Sequence, residues 1–411
     1  MTRIRRIIRP ALRWAGLALL FALTLEVCAR LDDHFTWGAP LWGHYSQALL
    51  TVSDQYGIHS RPGARFEKWH VNAHGFRGPE ITPQKPDGVT RVIVLGASET
   101  FGLYESPGKD YPAQLQTMLD HSNPGRYQIL NAGCAGMTLP RFTHYVQVWL
   151  KHFEPDLVFI YPTPASYVAT EPPRSSFSVR KGPPPPLPDN LRLARKAKIA
   201  LRAFLPAALL GWVRERNLER IAASHKPAWT WAGAPEDRVK LFRLHLTQLI
   251  DEIQKDGIKV LLATHAHRFP KSPALWTAAD RAQMARWRES YPRASANCLL
   301  QMDAAGNRVV RDIAQQRGLP LVDIAAAVPV TASYLTRPTE LLDLLAPAAK
   351  RLVSIDDLAR LSQHLADAVA PPNHFADFVH FTDTGSQRAA RAIVDVILAL
   401  ERDSKLSARA N

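Results

Sequence analysis

The chain has 411 residues, too many for one small module at roughly 150 residues per domain, so two to three units or one enlarged domain are expected. Hydrophobic residues make up 46% and charged residues 21%, which excludes global disorder and fibrous repeats. Three cysteines (Cys28, Cys134, Cys298) exclude a disulfide framework; no C-x-x-C pair is present to hold zinc, and spacing leaves a single Cys134–Cys298 bridge open.

The formal net charge of +14 is unevenly placed. Residues 1–13 hold five arginines and no acid, and residues 174–220 hold eleven bases against Asp189, Glu215 and Glu219. These two segments carry thirteen of the fourteen charges. A nucleic-acid binder would spread its bases over a folded face, whereas basic patches beside apolar runs suit an anionic membrane surface.

The first patch leads into an apolar run, Trp14–Val27, broken only by Glu26. Cations followed by hydrocarbon hold the start of a chain in the cytoplasm and send the rest across. Fourteen residues fall short of the ~20 that a spanning helix needs, but extension back to Ile7 supplies them, with Arg9 and Arg13 snorkelling. The expectation is a single-pass signal anchor over residues 1–30 with the remainder extracytoplasmic or periplasmic; a cleaved signal peptide, giving a secreted protein, is the alternative.

Residues 31–90 read as a loop-rich lead-in, with turns at Arg61-Pro62-Gly63, His74-Gly75 and Lys85-Pro86-Asp87-Gly88. Strand–helix alternation then begins. Strands are expected at Arg91–Leu95, Tyr127–Leu130, Asp156–Tyr161, Lys259–Ala263 and Leu319–Ile324. Helices are expected at Tyr111–Asp120, Arg141–Phe153, Pro235–Asp256, Arg308–Arg317 and Thr384–Leu400. Near-continuous apolar strands separated by helices imply a parallel sheet covered on both faces. The fold class is therefore α/β: a three-layer α/β/α sandwich over residues 91–402, with about five parallel strands. Residues 403–411 form a tail. An insertion at 170–235 interrupts the alternation, with a proline tetrad at Pro183–Pro186. Its basic stretch Leu191–Val213 suits either a membrane interface or a helical cap on the domain.

The first strand runs into Gly96-Ala97-Ser98-Glu99-Thr100-Phe101-Gly102. Ligands of parallel α/β sheets bind beyond the carboxyl ends of strands, so Ser98 stands where a nucleophile could act, its own N–H helping to hold an oxyanion. Near the other end, Asp377-Phe378-Val379-His380 precedes the last helix. An aspartate three residues before a histidine can fix its tautomer and stabilise the imidazolium. His265 and His267 follow the fourth strand on the same edge; with His374, Asp377 and His380 they offer metal ligands, a reading that leaves the serine without a role.

Together these blocks resemble the SGNH, or GDSL-like, hydrolases. Gly96-Ala97-Ser98 matches the serine block, and Asn131-Ala132-Gly133-Cys134-Ala135-Gly136-Met137-Thr138 the glycine block. Asp377–His380 matches the final D-x-x-H, and Val71–Gly78 the lead-in of membrane-anchored members. The resemblance implies an SGNH-hydrolase, flavodoxin-like sandwich and a serine esterase without metal or organic cofactor. Ser98 would be the nucleophile, His380 the base and Asp377 its orienting group, with an oxyanion hole from the Ser98 and Gly136 N–H groups. Substrates would be acylated glycans, lipids or small esters, with no role for nucleic acid.

Two departures stand out. Ala97 replaces the usual aspartate, and Pro162-Thr163-Pro164-Ala165-Ser166-Tyr167 stands where G-x-N-D is expected. Loss of one oxyanion donor costs about 10²–10³ in turnover. Thr163, Ser166 or His265 are the candidate replacements. The alternatives are an acyltransferase, or a weak or inactive scaffold, in an envelope polysaccharide system.

Overall fold

The computed structural model describes residues 2–54, 56–164, 168, 190–270, 272–330 and 373–402. The proline tetrad, Ser166 and the 403–411 tail lie outside them. The first helix, α1 (Thr2–Trp37), is continuous well past the apolar run. Its stretch Leu12–Trp37 is long and apolar enough to cross a membrane, by length and composition. Consecutive Leu19, Leu20 and Phe21 are all exposed, so this part of the helix has no protein-facing stripe.

The lead-in is more ordered than its turn residues suggest. β1 (Thr51–Asp54) pairs antiparallel with β2 (Gly57–Ser60), and β3 (Arg65–Phe66) with β4 (Trp69–His70). Beyond them Asn72 Oδ1 accepts the His74 and Phe76 N–H groups at 2.9 and 3.0 Å, making the tight turn of the lead-in motif.

The central sheet is built from β5 (Thr90–Gly96), β6 (Tyr127–Asn131), β7 (Leu157–Tyr161), β8 (Lys259–Ala263) and β9 (Leu321–Val322). All neighbours are parallel, in the order β6-β5-β7-β8-β9. Val94 stands beside Asn131 on one side and Phe159 on the other. Side chains of a strand alternate between faces, and here both faces are buried, which is why the strands read as unbroken apolar runs.

A short helix, α2 (Ser98–Phe101), follows β5 directly. Next come α3 (Tyr111–Ser122) and α4 (Leu139–Val148), the latter shorter than expected because a 3₁₀ turn, Leu150–Phe153, takes over after Trp149. The insertion supplies α5 (Arg192–Phe204) and α6 (Ala207–Ala223), divided at Pro206. The second half adds α7 (Glu236–Gln254), α8 (Ala278–Ser290), α9 (Ala296–Arg317), α10 (Ile324–Ala327) and α11 (Asp383–Arg402). Ile93, Leu95, Val158 and Ile160 face a core shared with α4, α7 and α9. Val92, Val94 and Phe159 face the other, shared with α3 and α11. Each such side chain contributes roughly 1.5–3 kcal/mol of burial.

The strand expected at Leu319–Ile324 is only Leu321–Val322, with Ile324 opening α10, and two helices also depart from the sequence reading. The helix expected at Arg308–Arg317 is the second half of a 22-residue helix, α9, whose buried Asp303, Gly306 and Asn307 disguise the apolar period. The helix α8 was not expected at all. Its charged residues, among them three arginines, are scattered between alanines and hide the apolar stripe, and its start is fixed by a capping box between Thr277 and Asp280.

The insertion packs at both ends. Glu26 of α1 accepts the Arg192 and Leu193 N–H groups at 3.1 and 2.8 Å, capping α5. Asp33, fully buried, meets Arg195 at 2.8 Å and Lys196 at 2.7 Å. Gly211 of α6 lies so close to α8 that a Cβ there would meet the Ala282 Cα at 3.2 Å. Cys134 and Cys298 are both buried as free thiols, so the bridge that spacing left open is not formed.

Arg77 ties the lead-in to the sheet. Its N–H donates to the Asn131 carbonyl at 2.9 Å, its guanidinium contacts the Phe101 and Gly102 carbonyls, and it pairs with Asp110 at 3.3 Å. Both partners of that pair are buried, and removing one member of a buried pair costs about 3–5 kcal/mol. Arg77→Met is therefore expected to lower the unfolding free energy of the detergent-solubilised chain by that amount. An unchanged urea midpoint would contradict it.

Candidate active site

The strand order reverses at β5: β6 lies to one side, β7 and everything after it to the other. A crevice opens at the carboxyl ends of such strands. Ser98 follows β5, Thr163 follows β7 and His265 follows β8, so three consecutive strands aim their sequels at one edge.

The glycine block lies beside the serine turn. The Cys134 N–H donates to the Gly96 carbonyl at 3.1 Å, and a Cβ on Gly133 would stand 2.4 Å from the Phe101 nitrogen, so only glycine fits there. Gly136 is exposed at φ +77°, its carbonyl receiving Arg141 Nη1 at 2.8 Å.

The D-x-x-H segment is a closed loop. A bridge between Phe375 and Phe381 pinches it, with the Ala376 N–H donating to the His380 carbonyl at 2.8 Å. Inside, Asp377 Oδ1 accepts the Val379 and His380 N–H groups at 3.1 and 3.0 Å and lies 2.8 Å from His380 Nδ1. Burial raises the Asp377 carboxyl, but these hydrogen bonds and the imidazole outweigh it and hold it at about 2. Burial likewise works against a charged His380, yet Asp377 first, then Glu99 and Glu105, raise it above the ordinary histidine range.

His380 Nε2 is buried and has no hydrogen-bond partner among the described residues. The loop reaches the serine side through Tyr104, whose ring centroid is 5.2 Å from that of His380, and through Asp383, which accepts the Ser106 N–H at 2.7 Å. Arg286 of α8 donates to the Tyr104 hydroxyl at 2.7 Å and lies 3.8 Å from Asp377.

Ser98 Oγ, half-buried, donates not to His380 but to Glu99 Oε2, at 3.2 Å. Glu99 is buried, and its other oxygen lies 3.4 Å from both Thr163 Oγ1 and His265 Nε2. His265 Nδ1 is 2.5 Å from Asp303 Oδ1. Asn307 clamps the same histidine, accepting its backbone N–H at 2.7 Å and donating to its carbonyl at 2.8 Å.

An oxyanion role for His265 thus meets a different arrangement, because each ring nitrogen faces a carboxylate. Thr163 is turned toward Glu99, and Pro164 is packed on Gly306 of α9. His267 lies 3.8 Å from Asp303, its nitrogen Nδ1 taken by the Phe269 N–H. Ala97 caps α2 without a side-chain acceptor.

Glu99, Asp303, Tyr104 and Arg286 were missed from sequence. Asp303 and Asn307, four apart on an otherwise apolar helix face, carried a readable signal.

No protein-family model matches the chain, and no curated protein matches it. Solved structures that share part of its course include LAE5, an alpha/beta hydrolase enzyme from the metagenome of Lake Arreo, Spain, at 16% identity and TM-score 0.37, covering 76% of this chain and 96% of that one. The lipase/acylhydrolase from Enterococcus faecalis is similar at 13% identity and TM-score 0.38, over 76% and 96%. The acetyl xylan esterase AlAXEase is similar at 15% and 0.36, over 75% and 99%. Likenesses of this size carry no argument about chemistry.

His265 makes a pH signature. Burial lowers it, but the Asp303 charge and hydrogen bond, then Glu99, overcome burial and raise it to about 9. An ordinary histidine in the unfolded chain titrates near 6.5, so this stabilisation is complete below about pH 6.5 and fades as pH rises through about 9. The melting temperature is expected to fall over that interval, and less steeply in Asp303→Asn. A flat or rising profile in the wild type would contradict the assignment.

Proposed function

We propose that this protein is a membrane-anchored, extracytoplasmic serine esterase that cleaves ester bonds of acylated glycans, lipids or small esters. One observation carries the reading: a buried imidazole on a loop fastened to the serine side through Tyr104 and Ser106, with Nδ1 on Asp377 and Nε2 without a partner among the described residues. A general base needs that one open nitrogen.

In the proposed cycle, Ser98 Oγ turns from Glu99 and attacks the ester carbonyl carbon, and its proton passes to His380 Nε2. The Ser98 and Gly136 N–H groups receive the developing oxyanion, and Asp377 stabilises the imidazolium. As the tetrahedral intermediate collapses, the bond to the alkoxy oxygen breaks and His380 returns the proton to that oxygen. Water then repeats the sequence on the acyl-serine, releasing the carboxylic acid; a sugar hydroxyl in place of water gives transfer. Thr163 and Ser166 remain the candidates for a third oxyanion donor. Because His380 must be neutral to act and is raised above the ordinary histidine range, the rate is expected to climb with pH later than for an ordinary histidine.

A fluorophosphonate probe is expected to label the wild type and neither Ser98→Ala nor His380→Ala. A folded wild type that resists labelling would favour the scaffold reading, which the absent third-block asparagine otherwise supports.

The membrane reading draws on α1 and on the insertion clamped to it. Ile199, Leu201, Leu209, Trp212 and Val213 are exposed on α5 and α6 among the basic residues. Amphipathic helices of this composition lie in the headgroup layer. A spin label at Ile199→Cys in anionic nanodiscs is expected to be accessible to oxygen and shielded from a water-soluble nickel chelate. Nickel access equal to that at exposed Lys240→Cys would contradict this.

A further inference from the structure

We propose that Glu99 is a positioning residue for the serine and histidine: fixed by His265 and Asp303, its carboxylate holds the resting Ser98 hydroxyl and lends negative charge to the His380 side of the mouth. Resting on the esterase reading of Ser98 and His380, this assigns a role to the buried ion cluster that the cycle above does not use.

The geometry is a relay across two strand ends and one helix. Ser98 Oγ meets Glu99 Oε2 at 3.2 Å, Glu99 Oε1 meets His265 Nε2 at 3.4 Å, and His265 Nδ1 meets Asp303 Oδ1 at 2.5 Å. Asn307 Nδ2 donates to Asp303 Oδ2 at 3.1 Å, fixing the far end. A buried ion cluster is costly, and apolar residues of the same volume are often as stabilising. Stability alone therefore gives no reason for a carboxylate next to the nucleophile. Its contact with the serine hydroxyl does.

The cluster is also ordered in charge. Asp303 and Glu99 flank one imidazolium, leaving one net negative charge, and Glu99 is the end that faces Ser98. The groups around His380 are Asp377 on its own loop, Glu99 on α2, Glu105 and Tyr104 after it, and Arg286 on α8. Glu105 is held by Ser386 of α11 at 2.7 Å and, raised chiefly by burial, titrates at about 7. It gains its charge in the working range, whereas Glu99, kept at about 2 because His265 outweighs its burial, is charged throughout. Glu99 is thus, beside Asp377, a constant contribution to the imidazolium that forms during attack.

The test is the pH profile of p-nitrophenyl acetate hydrolysis by the detergent-solubilised full chain, with fluorophosphonate labelling in parallel. Glu99→Gln keeps the shape and a serine acceptor but removes the charge. Its acid limb in kcat/KM is expected to move to lower pH by roughly half to one unit. On the alkaline plateau kcat is expected to fall about 3–10-fold with KM unchanged. Glu99→Asp is expected to restore most of the limb position. An unmoved limb in folded, labelled Glu99→Gln protein, or a shift to higher pH, overturns the role of Glu99 and leaves the esterase reading intact. Absence of labelling in the wild type overturns both. Should Glu99→Gln not fold, the all-amide triple variant Glu99→Gln/His265→Gln/Asp303→Asn leaves no ion unpaired in the cluster, and the same shift is expected and the same null overturns the proposal.

Discussion

The site depends on one topological constraint, the reversal of strand order at β5. Because β6 lies on one side and β7 and β8 on the other, the chain leaves three adjacent strands at the same edge. Ser98, Glu99, Thr163 and His265 are then delivered by short runs from rigid strand ends, and Asp377 and His380 by a loop fastened to that edge. The D-x-x-H loop, more than 270 residues later in sequence, arrives because α11 packs on α3 and Asp383 receives the Ser106 N–H. Precise placement follows from this support, since groups built on packed elements lose little freedom on engaging a substrate.

A second consequence is the concentration of charge inside a covered sheet. Glu99, Asp303 and Asp377 are all nearly inaccessible, and each is answered by an imidazole or by backbone N–H groups. One imidazole, His265, has both nitrogens engaged; the other, His380, has one. Two histidines on one edge thereby differ in kind, the first suited to hold charge and the second to exchange a proton.

Much of the fold was legible because parallel strands buried on both faces announce themselves: Arg91–Leu95, Lys259–Ala263 and Asp156–Tyr161 each fall within a residue of the observed strand at both ends. The serine turn after β5 and the D-x-x-H loop before α11 were legible as short motifs. What escaped was polar structure inside apolar settings. Helix α9 was read at half its length since Asp303 and Asn307 point inward, against the usual rule, and α8 was lost among its arginines although Thr277-x-x-Asp280 marked its start. Glu99 escaped for a different reason: next to a serine its charge reads as solvent-facing, and only the later arrival of His265 explains its burial. The lead-in motif became intelligible through Arg77, whose role depends on carbonyls of α2 that the sequence places 24 residues away.

The central proposal, that Ser98 and the His380–Asp377 pair work on one ester group, is tested most directly by a crystal structure of the phosphonylated protein. The account requires phosphorus on Ser98 Oγ, with the phosphonyl oxygen facing the Ser98 and Gly136 N–H groups and His380 Nε2 hydrogen-bonded to the alkoxy oxygen or to Ser98 Oγ. Phosphorus on another residue, or on Ser98 with His380 Nε2 still without a partner, would contradict it.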